Sequence, residues 1–259
     1  MRLNGNVAAV TGSGKGIGRS IALRLAREGA NVIVTDVDLA LAEETASAIS
    51  ELGQNAHALA VDVTHRRQVE QISTVAEEVF DSPIEIMVNN AGIQQLKDVL
   101  ELTREDWDRV LNVNARGTLF GMQMAAKAMK EQGRGTIINM ASIMGRIGHP
   151  LYAHYAASKA AIISLTKSFA LALAPYGVRV NSVGPGIVDT DLWDLMDTQW
   201  AELEGLRKGE PKAQRIGQVP LGRAGTPEDV ANTVAFLATD EAAYITGECI
   251  HISGGSLML

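Results

Sequence analysis

The sequence is short of the residues that would mark a secreted, membrane-bound or nucleic-acid-binding chain. It has one cysteine, Cys249, in 259 residues. No intramolecular disulfide can form, which fits a reducing compartment and a cytoplasmic location. Aromatic residues make up only 4%, so a core has to be built mostly from Ala, Val, Ile and Leu. There is no basic run, and the net charge is −7. Such a chain is a poor match for a phosphate backbone, so nucleic acid is not an expected partner. The opening Met1-Arg2-Leu3-Asn4-Gly5-Asn6 lacks the apolar stretch of a signal peptide. No apolar run approaches the roughly 20 residues that span a bilayer, so no membrane partner is expected. The five histidines, His57, His65, His149, His154 and His251, show no ligand spacing. With a single cysteine, neither a structural nor a catalytic zinc site is expected.

What is present is a regular alternation. Short apolar runs at 7–10, 31–35, 56–61, 84–88, 136–140, 178–183 and 248–252 read as strands. Helical patterns fill 17–28, 39–52, 67–80, 104–132, 155–176 and 227–238, the last with Thr226 as a candidate N-cap. Strands that are apolar throughout are buried on both faces. The pattern predicts an α/β Rossmann fold, a doubly wound parallel sheet of about seven strands flanked by helices. No linker or composition shift divides it, so 1–259 reads as one domain. The segment 191–218 breaks the rhythm with polar residues and two tryptophans, Trp193 and Trp200. It falls at the carboxyl end of the sheet, where ligands bind, and is expected to be a substrate lid.

The first strand runs into Thr11-Gly12-Ser13-Gly14-Lys15-Gly16-Ile17-Gly18. Glycines at a strand-to-helix turn let the backbone approach a pyrophosphate, which the positive end of the next helix then attracts. Asp36 ends the second strand, 18 residues after Gly18. A carboxylate there accepts from the adenine-ribose hydroxyls and repels a 2′-phosphate, so it selects NAD over NADP. Lys15 is a mild counter-signal, because a basic residue in this loop could pair with such a phosphate. Asp62-Val63 and Asn89-Asn90-Ala91-Gly92 follow the third and fourth strands.

Tyr155 and Lys159 are four apart on one face of a helix. A free phenol titrates near ~10, too high for a base at neutral pH. A neighbouring ammonium and the positive nicotinamide ring would favour phenolate. Ser142 lies 13 residues before Tyr155, at the end of the fifth strand, where a hydroxyl could hold a substrate oxygen.

Together these residues resemble the short-chain dehydrogenase/reductase family along the whole chain. Gly12-x-x-x-Gly16-x-Gly18, Asn89-Asn90-Ala91-Gly92, Asn114, Ser142, Tyr155-x-x-x-Lys159 and Pro185-Gly186 stand in the family's order. The resemblance implies that Tyr155 is the general acid/base and that Lys159 lowers its pKa and binds the nicotinamide ribose. It implies that Ser142 positions the substrate oxygen and that Asn114 holds a water linking Lys159 to solvent. Gly12, Ser13, Lys15, Gly16, Ile17, Gly18 and Asp36 would hold the dinucleotide. Asp62 and Val63 would contact its adenine, and Asn89, Ala91 and Gly92 would line it. Pro185, Gly186, Ile187, Val188 and Thr190 would surround the nicotinamide end. Gly184 departs from the family pattern and would leave extra room.

Within the family the lid resembles that of bacterial polyol dehydrogenases of the sorbitol/galactitol kind. Its carriers are Leu192-Trp193-Asp194-Leu195-Met196-Asp197, Arg207-Lys208-Gly209-Glu210 and 240–246. A polar lid suits a polyhydroxylated substrate, since each hydroxyl taken from water needs a partner. Gln94, Met144 and Trp193 join Ser142 and Tyr155 as candidate substrate contacts. The alternatives are an acetoin/diacetyl (butanediol) reductase, a 3-oxoacyl-carrier-protein reductase, or a catalytically idle dinucleotide sensor. By family resemblance a homotetramer is expected, built on the long helices and the last strand.

Overall fold

A computed structural model of the chain describes residues 1–258. Seven strands form one parallel sheet. They are β1 (Val7–Thr11), β2 (Asn31–Asp36), β3 (Ala56–Ala60), β4 (Ile86–Asn89), β5 (Gly135–Met140), β6 (Val178–Pro185) and β7 (Cys249–Ile252). Their order is β3-β2-β1-β4-β5-β6-β7, the doubly wound arrangement expected from the alternating pattern. The order reverses between β1 and β4, which opens a crevice at the carboxyl ends of those strands.

Alternate residues along each strand feed the two faces. Ala8 and Val10 of β1 pack with Ile21 and Leu25 of α1 (Gly16–Arg27) and Val230 and Val234 of α9 (Pro227–Ala238). Val7 and Ala9 face the opposite layer. That layer includes Ile72 of α3 (Arg66–Phe80), Met122 and Met129 of α5 (Gly117–Gln132), and Leu173 of α6 (Ala153–Leu173). Each fully buried Ile or Leu stabilises the fold by about 1.5–3 kcal/mol. The edge helix α2 (Leu39–Glu51) starts at Asp38, whose side chain accepts from the Ala40 N–H. Thr226 caps α9 as expected and forms a reciprocal capping box with Asp229.

The long helix expected over 104–132 is interrupted. It comprises α4 (Arg104–Leu111), one π turn (Asn112–Arg116) and α5. The π turn inserts one extra residue and re-aims its side chains, a device that recurs at functional sites. Asn114 sits in it.

The stretch Ala153–Tyr176 is long and apolar enough on average to cross a membrane, with a mean hydropathy of 1.3 over an 18-residue window. This is a property of the average and not of an unbroken run, because Lys159 and Lys167 lie within it. The helix packs against β6 and carries Tyr155 and Lys159.

The segment 191–218 folds as α7 (Asp191–Glu204) and α8 (Glu210–Gly217). Thr190 caps α7 by accepting from the Trp193 N–H. Its positions Trp193, Met196, Asp197 and Trp200 fall at i, i+3, i+4 and i+7 and make one inward face.

Candidate active site

The β1–α1 turn is shaped by close approach. Gly12 has φ +60°, and a Cβ there would stand 2.8 Å from Ala91 Cα. A Cβ on Gly18 would collide with the Gly12 carbonyl. No side chain caps α1 at Lys15, and its first turn carries no acidic residue. The positive helix end is therefore left for an external anion. Ser13 is buried and turned inward. Its hydroxyl donates to the Val10 carbonyl at 2.8 Å and accepts from the Thr35 N–H at 3.1 Å. Its side chain thus anchors the turn to β2, as does its N–H, which donates to the Thr35 carbonyl at 2.8 Å. Asp36 closes the far side. Its Oδ2 accepts from the Gly14 N–H at 3.0 Å, which holds the carboxylate at the rim of the turn. This uncapped helix end, glycine cradle and terminal carboxylate fit a dinucleotide.

At the end of β4 the two adjacent asparagines point in different directions. The Asn89 side chain points into the fold, donating to Asn139 Oδ1 at 2.8 Å in a buried network that continues to Thr166. Only its backbone can line a cofactor. The residue that was missed is Asn90. Its amide donates to the carbonyls of Thr11 and Gly12 at 2.9 and 2.8 Å and clamps the glycine turn to the β4 loop. The signal available was its place after β4, opposite the glycine turn across the switch point. After β3, Asp62 Oδ1 accepts from the Thr64 N–H at 2.9 Å, and Val63 packs against Gly117.

Asn114 is fully buried. It accepts from the Ile93 N–H at 2.8 Å and donates to the Ile93 carbonyl at 2.9 Å and to Ser158 Oγ at 3.0 Å. A Cβ on Gly92 would lie 3.3 Å from Asn114 Oδ1 and 3.5 Å from Lys159 Nζ. A bare glycine therefore separates the amide from the ammonium, and Asn114, Gly92 and Lys159 form one group. Lys159 is buried and donates to the Met140 carbonyl at 2.8 Å. Its Nζ lies 5.6 Å from the centre of the Tyr155 ring. Burial lowers Lys159 to about 8 and pushes the Tyr155 phenol up, with Ser142 beside it pulling the other way. The protein alone therefore does not favour phenolate. Ser142 follows β5 and accepts from the Met144 N–H at 3.2 Å.

Beyond Tyr155 is an aromatic wall. Tyr152 lies 5.5 Å from Tyr155 and 5.3 Å from Trp200 between ring centres, and Trp193 lies 5.6 Å from Trp200. Met144, Leu96, Leu151 and Met196 complete the cluster. Tyr152 and Trp200 were not foreseen as site residues, although the helical spacing of Trp193 and Trp200 was a usable signal. His149 also belongs here, 5.9 Å from Trp200. Its Nδ1 accepts from the Leu151 N–H, which leaves Nε2 as the donor. Burial, and then Arg215, hold its pKa below the usual imidazole value. His154, by contrast, is fully buried. Gln94 is half-buried, two residues before Leu96 of that cluster.

Pro185 ends β6, and the Gly186 N–H donates to the Ile252 carbonyl at 3.0 Å. Ile187, Val188 and Thr190 follow, with Val188 bridging to Gly225. The space expected at Gly184 is filled, since a Cβ there would meet the His251 ring at 2.9 Å.

A glycine turn at a helix end, a tyrosine beside a buried lysine, and a serine just after β5 make an arrangement that can serve hydride transfer. A family model described as enoyl-(acyl carrier protein) reductase matches residues 12–256. The chain is a short-chain dehydrogenase/reductase. It is an oxidoreductase acting on CH–OH groups, and the family's Rossmann fold binds a nicotinamide dinucleotide. The dehydrogenase is 44% identical to a sorbitol dehydrogenase of Cereibacter sphaeroides and 42% identical to a galactitol 2-dehydrogenase of Agrobacterium fabrum, each over 100% of both chains. It is also 40% identical to a 3-oxoacyl-[acyl-carrier-protein] reductase of Staphylococcus aureus, over 97% of this chain and 98% of that one. Among solved structures, a putative gluconate dehydrogenase from Agrobacterium tumefaciens is similar at TM-score 0.91 and 32% identity. That match covers 99% of this dehydrogenase and 98% of its relative.

Proposed function

We propose that the enzyme is an NAD-dependent polyol dehydrogenase that oxidises one secondary hydroxyl of a sorbitol- or galactitol-like chain to the ketone. The observation that carries this reading is the likeness to two polyol dehydrogenases along the full length, substrate-covering helices included. Asp36, fixed at the end of β2, supports NAD over NADP because a 2′-phosphate would meet a carboxylate.

The bound nicotinamide supplies the hydride acceptor. The protein's residues do the rest. Ser142 Oγ holds the substrate oxygen, and Tyr155 as phenolate removes the hydroxyl proton while the carbinol hydrogen leaves as hydride. Lys159 would bind the nicotinamide ribose, and its ammonium together with the positive nicotinamide ring would offset the burial that disfavours the phenolate; Asn114 would hold a water that connects Lys159 to solvent. Pro185–Thr190 backs the nicotinamide end. The helices α7 and α8 act as the lid and exclude water.

The lid's charged groups support the polyol reading less directly than their number suggests, because they are engaged with one another. Lys212 pairs with Asp194, Arg207 pairs with Glu210, and Asp197 binds the α8 backbone. Distal hydroxyls would instead meet Tyr152, His149 and Gln94, with Trp193 over the carbon chain.

The assembly proposed is a homotetramer in the cytoplasm. Leu171 on α6 and Tyr244 before β7 are both largely exposed, and large apolar side chains on such faces support burial against further copies.

A panel of sorbitol, galactitol, gluconate, acetoin, 2,3-butanediol and a 3-oxoacyl thioester, each with both dinucleotides, tests the reading through NAD(P)H absorbance. The expected result is the highest kcat/KM with a hexitol and NAD. A preference for the thioester with NADPH would refute it.

A further inference from the structure

The two lid helices are crossed by an ionic cluster that the hydride-transfer reading does not use. Lys212, near the start of α8, donates to Asp189 Oδ1 at 2.6 Å and to Asp194 Oδ1 at 2.8 Å. Its backbone N–H donates to Asp197 Oδ1 at 2.7 Å, and the Gly209 N–H donates to Asp197 Oδ2 at 2.6 Å. Asp197 is only 2% exposed. Its carboxylate is thus a buried anchor for the first turn of α8, where the helix dipole favours negative charge. Asp194 and Asp197 belong to α7. Asp189 belongs to the loop that also supplies Ile187, Val188 and Thr190. That loop is fixed on its other side, where the Asp189 N–H donates to the Gly225 carbonyl at 2.8 Å.

We propose that Lys212 is a positioning residue that locks the lid to the nicotinamide-facing loop, so that the two move as one body. This rests on the reading of 187–190 as the loop that meets the nicotinamide end. Two carboxylates that share one nitrogen stand close together. Removing the ammonium leaves them to repel each other across the joint between loop and lid. The Lys212 side chain is partly exposed and both of these carboxylates are mostly exposed, so the pairs contribute little to folding stability. Their effect is on placement. Arg215, one turn further along α8, lies 3.7 Å from the centre of the Trp200 ring. Any shift of α8 therefore reaches the aromatic wall beside Tyr155.

The test is NADH binding to the intact enzyme, read by quenching of tryptophan fluorescence, since Trp193 and Trp200 both lie in the lid. Lys212→Met is expected to weaken NADH binding about fivefold and to raise the substrate KM by a similar factor, with kcat changed less. The melting temperature should stay within a few degrees. Lys212→Arg should restore most of the affinity. Asp189→Asn should weaken binding too, and the double variant should be no worse than the Lys212 variant alone. If Lys212→Met fails to fold, Asp189→Asn and Asp194→Asn carry the test from the other side of the pair. Unchanged NADH affinity and KM, or strictly additive losses in the double variant, would overturn the lock while leaving the site reading intact. An unmodified enzyme that does not bind NADH would overturn the reading of the 187–190 loop and the lock with it.

Discussion

The Lys159 ammonium donates to the Met140 carbonyl at 2.8 Å, which ties the cation beside Tyr155 to the last residue of β5. Without a bound dinucleotide this buried charge is a burden on the fold. Burial brings Lys159 down to about 8 from an ordinary 10.5. Below pH 8 both folded and unfolded chains hold the proton, and the folded state bears the whole penalty. Between pH 8 and 10.5 the folded chain releases the proton while the unfolded chain keeps it, so stability from this group rises with pH. The penalty is worth about 3 kcal/mol at neutral pH. Lys159→Met should relieve it, less about 1 kcal/mol for the lost hydrogen bond. The variant is expected to melt about 5 °C higher than the unmodified enzyme at pH 7. The difference should close as the pH approaches 10. Calorimetry of the two proteins without nucleotide checks this, and a variant less stable at pH 7 would contradict it.

The central strands were legible because they are largely apolar on both faces, whereas the edge strands β3 and β7 are at most half-buried and carry His57 and His251. The candidate set Tyr155, Lys159 and Ser142 stood out by its fixed spacings. The π turn at 112–116 was not legible. One extra residue in a helix leaves the polar and apolar spacing of α4 and α5 each intact, so the pattern reads as one helix. The side-chain directions of Asn89 and Asn90 were equally hidden. Adjacent asparagines are interchangeable in composition, and only the pleat decides which one enters the core. The polarity of 191–218 read as suited to a polyhydroxylated substrate, yet its charged groups Lys212 and Asp194, and Arg207 and Glu210, bind one another. Pairing of that kind depends on how α7 and α8 meet, which no local pattern carries.

Asn114 should matter for stability as well as for the proposed water. It satisfies both the N–H and the carbonyl of Ile93 from a fully buried position. Asn114→Ala leaves these groups without their partner and is expected to cost about 2–3 kcal/mol. In urea, the midpoint should fall with little change in slope. Turnover should fall by more than the lost folded fraction explains, measured under conditions where the variant remains folded.

Asp36 is held by the Gly14 N–H, so it cannot swing away from a 2′-phosphate without losing that bond. Asp36→Ala removes the repulsion and the ribose acceptor together. The kcat/KM ratio of NAD to NADP is expected to fall by about tenfold or more, through a loss with NAD and a gain with NADP. An unmodified enzyme that works better with NADP would contradict this placement of the carboxylate.

Trp193 separates chain-length reading from simple closure. Its ring lies 5.6 Å from Trp200, within the cluster that borders Tyr155. If the carbon chain of a hexitol lies against it, Trp193→Ala removes apolar contact that a four-carbon diol does not use. Contacts remote from the reacting carbon align it with Tyr155, so their loss should lower turnover as well as binding. The expected result is a fall of about tenfold or more in kcat/KM for sorbitol or galactitol, and a much smaller fall for 2,3-butanediol. Tyr155→Phe supplies the control. It removes the proton acceptor and should lower turnover on both substrates by about 10²–10⁴-fold, with NADH affinity nearly unchanged in a fluorescence titration. Equal losses on long and short substrates in the Trp193 variant would mean that the lid only closes the site. The discrimination would then have to come from groups nearer the reacting carbon, with Tyr152 and His149 the next to replace.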